Sequence, residues 1–434
     1  MERTYIKDLK EKIGKEVLLK GWIHTLRAQG SMVFIILRDV TGLIQCISLN
    51  KELSKQLDQM KPESVVEIEG FVKEEKQAPD GFEVELKAVK VLSEPADVLP
   101  IPIVEKAQNE TKLSKRLNNR WLDLRKPENL LIFKVSTVVD SSFSQFFVEQ
   151  GFIEIHSPKT LITSTESGSD LFEVNYFGKK AYLAQSPQLY KQMAMAAGFE
   201  KVFEIGPAFR AEPSFTSRHA TEFTMFDVEM SFMDSVEQLM DVEEKMITRI
   251  LSDVKSKYGD EIKSKYKVEI NIPKEIPRFS FEEAKKILKD MGIENEKIDD
   301  LSSEDEKAFG EYVQKEKGSD LVFIYDYPAT GRAFYSMRYE DRPEYTKSFD
   351  LLYKGLEITS GAIREHRYET LKENILKKGF KLEDFTDYIN FFKYACPPHG
   401  GFAPGPARII MQILELKNIR DAMYIFRGVK RITP

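Results

Sequence analysis

The stretch Phe203-Glu-Ile-Gly-Pro-Ala-Phe-Arg-Ala-Glu-Pro-Ser-Phe-Thr-Ser-Arg-His-Ala-Thr-Glu-Phe-Thr-Met-Phe-Asp-Val-Glu-Met230 decides how the chain is to be read. Two apolar-alternating runs, Val202–Phe209 and Phe223–Met230, flank a polar segment rich in Ser, Thr, Arg and His. Alternation on both sides predicts two antiparallel strands joined by a long loop. Ordinary hairpin loops take about two to five residues, so a loop of about a dozen is either functional or mobile. This one carries Arg210 and Glu212 at its start, Arg218 and His219 near its end, then Glu222 and Phe223. Guanidinium forks suit phosphate and an aromatic face suits a base, so a nucleotide is one reading. A solvated, charged hairpin is the other, and the loop alone does not separate them.

At 434 residues the chain exceeds what one core usually serves, so two or three domains are expected. A net charge of −6 argues against a generally basic nucleic-acid coat protein, although it permits a local basic surface. The only cysteines, Cys46 and Cys396, lie far apart in no metal-like spacing and are expected to be buried free thiols. The first residues lack the apolar core of a signal peptide. No apolar run approaches the roughly 18 residues of a membrane span, so a cytoplasmic protein is expected.

Residues 1–100 are rich in short β-type runs: Glu16–Ile23, Met32–Leu37, Leu43–Leu49, Ser64–Val72 and Phe82–Leu92. A helical interval, Glu52–Met60, follows the third. That order predicts a small Greek-key barrel of the OB type, a frequent single-stranded nucleic-acid binder. Phe34, Gln45 and the acids Glu83 and Glu85 are candidates for stacking on bases and contacting their edges, and Phe34 fits a core position equally well. Leu99-Pro-Ile-Pro-Ile103 reads as an extended linker. The expected organisation is a barrel at 1–100, a linker or hinge at 101–127, and a second domain at 128–434 with a charged insertion at about 258–320. The basic stretch Arg116–Arg125, around Trp121 and Leu122, suits either RNA backbone or an ordinary hinge helix.

From Pro127 a long amphipathic helix is expected to about Gln150, then a strand over Phe152–His156 that stops at Ser157-Pro158. This layout suits a subunit interface or an internal helix. Thr163–Asp170 is small, polar and suited to closing over a ligand. Ala181–Gln192 predicts strand, turn and helix, with Pro187 at the first helical position and Gln188 and Lys191 on one face. Lys263–Gly318 is highly charged, with no chemistry legible in it. Strands are expected again at Leu321–Tyr327 and Ala333–Tyr339. Glu357, Ser360 and Arg364 cluster where a later strand ends in small residues. Pro397–Gln412 is a glycine-rich strand–turn–helix with Arg408 just inside the helix.

Gly151–Pro158, Phe209-Arg-Ala-Glu212 with Arg218-His219, and Gly401–Arg408 resemble the three ordered motifs of class II aminoacyl-tRNA synthetases. Gln185-Ser-Pro-Gln-Leu-Tyr-Lys191, Glu357-Ile-Thr-Ser-Gly361 with Arg364, and Lys430-Arg-Ile-Thr-Pro434 narrow the likeness to the aspartyl enzymes of archaeal and eukaryotic type. The resemblance implies an α+β fold: an OB barrel followed by an antiparallel sheet flanked by helices. It implies ATP as substrate, magnesium, a homodimer, and L-aspartate and tRNA as partners, with neither membrane nor DNA. Arg210 matches the arginine that bridges substrate carboxylate and α-phosphate. Ala211, Glu212, Arg218, His219 and Ala220 match the ATP loop, Phe223 the ring under adenine, and Gly405, Pro406, Ala407 and Arg408 the γ-phosphate side. Glu357 and Ser360 match magnesium ligands, and hard oxygen donors suit that ion. Lys191 and Arg364 match the cations that take the aspartate side chain. Glu166, Gln188, Arg210 and Ser360 match further amino-acid contacts.

In the barrel, Phe34, Gln45 and Glu85 match anticodon contacts. In related enzymes a His two residues after a Gly-Trp pair and a Pro in the later hairpin loop accompany relaxed reading of the third anticodon base. His24 and Pro79 occupy those places, so the likeness implies charging of both tRNA(Asp) and tRNA(Asn); a surface histidine and an ordinary turn proline are the plain alternative. Three features depart from the family pattern: Pro404 and Pro406, Ser167 and Asp170 in the polar loop, and Gly428 after Arg427. Rival readings are a strictly tRNA(Asp)-specific enzyme, an asparaginyl-tRNA synthetase, against which Lys191 speaks, an asparagine synthetase, which should lack the barrel, and a non-catalytic RNA-binding paralogue, which should not need to retain Arg210, Glu357 and Arg408.

Overall fold

The computed structural model describes residues 1–105, 110–162, 171–294 and 297–434. It divides into two compact units, Met1–Pro127 and Glu128–Pro434.

In the first unit, the strands Glu16–Gln29, Met32–Arg38, Leu43–Ser48, Phe82–Ser93 and Val65–Glu74 close, in that spatial order, into a barrel. The helix Lys51–Asp58 follows the third strand, capped by the Asn50 side chain on the amides of Glu52 and Leu53. Alternation sets the two faces. Val33, Ile35 and Leu37 fill the barrel, whereas Phe34 and Ile36 are half-buried on its outside, so Phe34 is not core. The segment after the barrel is packed as well: Ile101, Ile103 and Leu122 bury one another. Three of its cations, Arg116, Arg120 and Lys126, contact the buried Asp123. A buried carboxylate without partners is costly, which draws these three side chains toward it.

In the second unit, eight strands form one sheet in the order Arg278–Ser280, Leu321–Tyr325, Ser348–Tyr353, Leu356–Ile363, His399–Pro404, Glu222–Ser231, Lys201–Phe209, Ile153–Glu154. The pairings are antiparallel except at the two edges. The helix Pro127–Glu149 lays its apolar stripe on this sheet within the chain's own core, with Phe143 stacked on Phe226 at 4.0 Å between centroids. Residues 258–320 are more integral than a surface insertion. They supply the edge strand Arg278–Ser280 and the helices Phe281–Asp290 and Ser303–Lys317, whose Phe281, Leu288, Phe309 and Val313 bury against Val322 and Ile324. Ala333–Tyr339 is not a strand: Ser336 and Arg338 make isolated bridges, and Phe334 and Tyr335 turn into a separate aromatic cluster with Phe385 and Tyr388. No helix among the described residues is long and apolar enough to cross a membrane. Cys46 and Cys396 are free and buried, and burial pushes both thiols up, the latter to about 12.

Candidate active site

The hairpin expected from the sequence is present: Lys201–Phe209 pairs with Glu222–Ser231 from Lys201 opposite Met230 to Phe209 opposite Glu222. The intervening polar segment leans on a cleft of about 330 Å³ on one face of the sheet. Strand alternation explains what lines it. Phe226, Val228 and Met230 enter the core, while Phe223, Met225 and Asp227 face the cleft.

At one end of the cleft lie Gln188, Lys191 and Arg364. The helix holding the first two runs Gln188–Ala196, so Pro187 precedes it as its cap residue. Lys191 is 2% exposed and its Nζ lies 3.1 Å from Asp227 Oδ1 and 3.3 Å from Glu229 Oε2. Arg364 donates through Nε to Glu229 Oε1 at 3.0 Å and through Nη2 to the Gly401 carbonyl at 3.0 Å. Gly401 has to be glycine, because a Cβ there would sit 2.1 Å from the Val228 carbonyl oxygen and 2.2 Å from Glu229 Oε2. Burial pushes the Asp227 carboxyl up to about 6 despite Lys191. Burial also works to raise Glu229, but Arg364 and Lys191 outweigh it and hold that carboxyl below its usual range. Behind this cluster Gln188 donates to Gln192, and Gln192 bonds His399, whose ring burial keeps neutral by lowering it to about 4.

At the other end stand Arg210, Glu212, Arg218, His219 and Ala220, with Arg408, Ala407 and Gly405 opposite them. Arg210 lies over the Phe223 ring at 5.4 Å; its Nε is buried with no hydrogen-bond partner. His219 is driven down to about 4 by burial and by Arg408, Arg218 and Arg210. Its Nδ1 faces the hydroxyls of Ser214 and Thr216, which tie the ring to its own loop. Arg408 donates to the Glu357 carbonyl at 2.8 Å, and Arg218 to Glu306 at 2.6 Å. Pro406 is the first residue of the helix Pro406–Ile413, where a missing N–H costs nothing. Neither Pro406 nor Ala211 belongs to the cleft wall, and Glu166 with the rest of Thr163–Asp170 lies outside the described residues.

Glu357 and Ser360 share the strand Leu356–Ile363 and both face the cleft. Burial, against Arg408 and with Asp350 and Glu306 adding to it, pushes Glu357 up to about 7. A carboxyl crowded by other acids is relieved by a cation, so this donor set fits magnesium. Among the described residues no three His, Cys, Asp or Glu side chains converge as a metal cage by themselves. Arg332, which the sequence did not single out, is stacked on Tyr327, bonds Asp350 twice and donates to Ser360 Oγ at 3.1 Å.

Behind the same strand, Glu243 is fully buried, both of its oxygens without a hydrogen bond, and burial lifts it to about 8. The unfolded chain releases that proton near pH 4.5 whereas the folded chain keeps it to about pH 8. Stability is therefore lost as pH rises between those values and is level above them. The full loss is about 5 kcal/mol, at about 1.4 per pH unit. Glu243→Gln, which does not titrate, is expected to gain on the parent steadily from pH 5 to pH 8 in thermal melts. A constant difference between the two would rule this out.

On the barrel, Gln45 donates to Glu83 at 2.7 Å, and Lys73 sits 3.3 Å from Glu83 and 3.5 Å from Glu85. Pro79 is exposed in the turn closed by the Gly81 amide on the Ala78 carbonyl. His24 is not a free surface residue: its Nδ1 takes a 2.8 Å bond from Arg38, which also grips Glu63 with both amino groups. Burial works to raise Glu63, but Arg38, bonded to both of its oxygens, and Arg125 bring it down to about 2.

Residues 112–426 match the family of class II tRNA synthetases (D, K and N), and residues 17–92 match the OB-fold nucleic acid binding domain. The aspartate–tRNA(Asp) ligase of Pyrococcus abyssi is 42% identical over the whole of both chains, and the aspartate–tRNA(Asp/Asn) ligase of Archaeoglobus fulgidus 43%. Among solved structures, asparaginyl-tRNA synthetase from Pyrococcus horikoshii with asparaginyl-adenylate superposes with a TM-score of 0.93 at 31% identity, each chain wholly covered. Aspartyl tRNA synthetase from Entamoeba histolytica gives 0.91 at 31% identity, covering all of this chain and 93% of that one. With an OB barrel ahead of a class II catalytic sheet and full-length relatives that ligate aspartate, the chain belongs to the aspartate–tRNA ligases of class II.

Proposed function

We propose that the cleft activates L-aspartate with ATP and that the enzyme then charges both tRNA(Asp) and tRNA(Asn). The aspartate α-carboxylate attacks the α-phosphate and pyrophosphate leaves; the terminal hydroxyl of tRNA then takes the aspartyl group and AMP leaves. The carboxylate is already a nucleophile, so the protein's work is positioning and charge stabilisation, without a general base. The buried pair Lys191 and Arg364 carries the choice of amino acid. Aspartate brings them an anion, whereas asparagine leaves two buried cations facing a neutral amide. Asp227 is placed to take the substrate ammonium beside Gln188. Arg210, with its unpartnered buried Nε, spans carboxylate and α-phosphate. Phe223 lies under adenine, and Arg218, neutral His219 and Arg408 hold the outer phosphates. Glu357 and Ser360 would hold magnesium, which when bound supplies positive charge against the phosphates. Pyrophosphate exchange should depend on aspartate and not on asparagine; no aspartate-dependent exchange would refute the activation scheme. We further propose a cytoplasmic homodimer, which a solution mass of twice the chain's would support.

For the dual tRNA reading, support comes from His24, held with Nδ1 occupied by Arg38 so that Nε2 is its free donor, and from relatives named for both tRNAs. Relatives named for tRNA(Asp) alone are about as similar, so the charging assay decides. Transcripts of tRNA(Asp) and tRNA(Asn), charged side by side, should be accepted within about tenfold of each other, about 1.4 kcal/mol. Rejection of tRNA(Asn) by several orders of magnitude overturns the dual reading and leaves the activation scheme intact. His24→Trp with Pro79→Lys should move the preference toward tRNA(Asp).

A further inference from the structure

We propose that Glu306, on the helix Ser303–Lys317, is a positioning residue that fixes the Arg218 side chain and the start of the Glu357 strand relative to one another before ATP arrives. The inference rests on Arg218 being an ATP phosphate contact. A single carboxylate oxygen makes both connections. Glu306 Oε2 accepts from Arg218 Nη1 at 2.6 Å and from the backbone N–H of Glu357 at 3.1 Å. Arg218 lines the cleft and Glu306 does not, so the acid stands behind the arginine and does not compete for its phosphate. The helix that carries Glu306 is itself seated on the turn leading into the Glu357 strand. A Cβ at Gly310 would meet the Gly355 amide nitrogen at 2.5 Å, and one at Gly355 would meet Lys307 Cα at 2.7 Å. Two glycines thus allow helix and turn to touch backbone to backbone, a rigid base for the carboxylate.

An arginine on a long polar loop otherwise pays rotamer entropy when it orders on a ligand. With one N–H on Glu306, its remaining donors stay aimed into the cleft. This also gives the charged 258–320 segment a task in the ATP site.

Glu306→Gln keeps the shape and an acceptor for Glu357 while removing the charge that holds Arg218. It is expected to raise KM for ATP about three- to tenfold in pyrophosphate exchange, with KM for aspartate within about twofold of the parent. In an Arg218→Ala background the same substitution should add nothing, as a double-mutant cycle requires of coupled residues. KM for ATP unchanged by Glu306→Gln, both KM values rising together, or an undiminished effect without Arg218 would each overturn the inference. Arg218→Ala leaving KM for ATP untouched would instead remove the reading of Arg218 on which the inference stands, and the inference with it.

Discussion

Lys191→Met is expected to lower kcat/KM for aspartate by roughly 10²–10⁴ in pyrophosphate exchange, with KM for ATP nearly unchanged. The size follows from what Lys191 faces. Its ammonium is 2% exposed and sits between Asp227 and Glu229, with Arg364 on the far side of Glu229. Breaking one partner of a buried charge cluster typically costs ~3–5 kcal/mol, which for a substrate carboxylate entering that cluster is the quoted loss. Part of the folding cost is avoidable, because Asp227 already titrates at about 6 and can take a proton once its partner is gone. The variant should therefore be nearer to parental stability at pH 5.5 than at pH 8, since raising this carboxyl's pKa beyond about 6 costs stability only where the parent's folded carboxyl is ionised, above about pH 6. An enzyme with Met at this position that activates aspartate within tenfold of the parent would exclude Lys191 as the side-chain cation.

The carboxylates in that cluster mark the limit of sequence reading. The hairpin was legible because Val202–Phe209 and Phe223–Met230 alternate, and its strands appear at those residues. The same alternation holds Asp227 and Glu229 at every second position, where a solvent-facing row would put acids. Only the fold shows that this face is covered, with both side chains nearly inaccessible and facing Lys191 and Arg364. A pair of acids at period two on a strand that also carries motif residues was the available signal. Glu306 gave none, since its partner Arg218 is 88 residues away and nothing local on a Lys/Glu-rich helix distinguishes one acid from another. Arg332 and Asp350 were hidden likewise, since Arg332 falls between the expected strands Leu321–Tyr327 and Ala333–Tyr339 and its pairing with Asp350 is long-range. In the barrel, the family resemblance led to His24, but its Arg38–Glu63–Arg125 surroundings join three separate segments and belong to the closed barrel and the segment after it.

Arg210→Ala should lower kcat for aspartate-dependent pyrophosphate exchange by roughly 10³-fold or more, because loss of one preorganised donor already costs ~10²–10³ and a guanidinium offers several together with a charge. The fold should tolerate the change. Arg210 makes no ion pair among the described residues, its Nε is buried unpartnered, and its backbone N–H on the Thr221 carbonyl survives the substitution. Removing an unsatisfied buried donor is neutral or favourable for stability, the reverse of removing Lys191. The two variants consequently separate on three readouts. Lys191→Met acts on aspartate recognition and carries a pH-dependent stability cost. Arg210→Ala acts mainly on kcat, as expected of a contact that strengthens as charge develops between carboxylate and α-phosphate, and melts like the parent. Arg210→Lys restores the charge without the planar fork and should recover only a small part of the rate. Exchange at the parental rate without Arg210 would show that the loop closes over the nucleotide without acting on the reacting atoms.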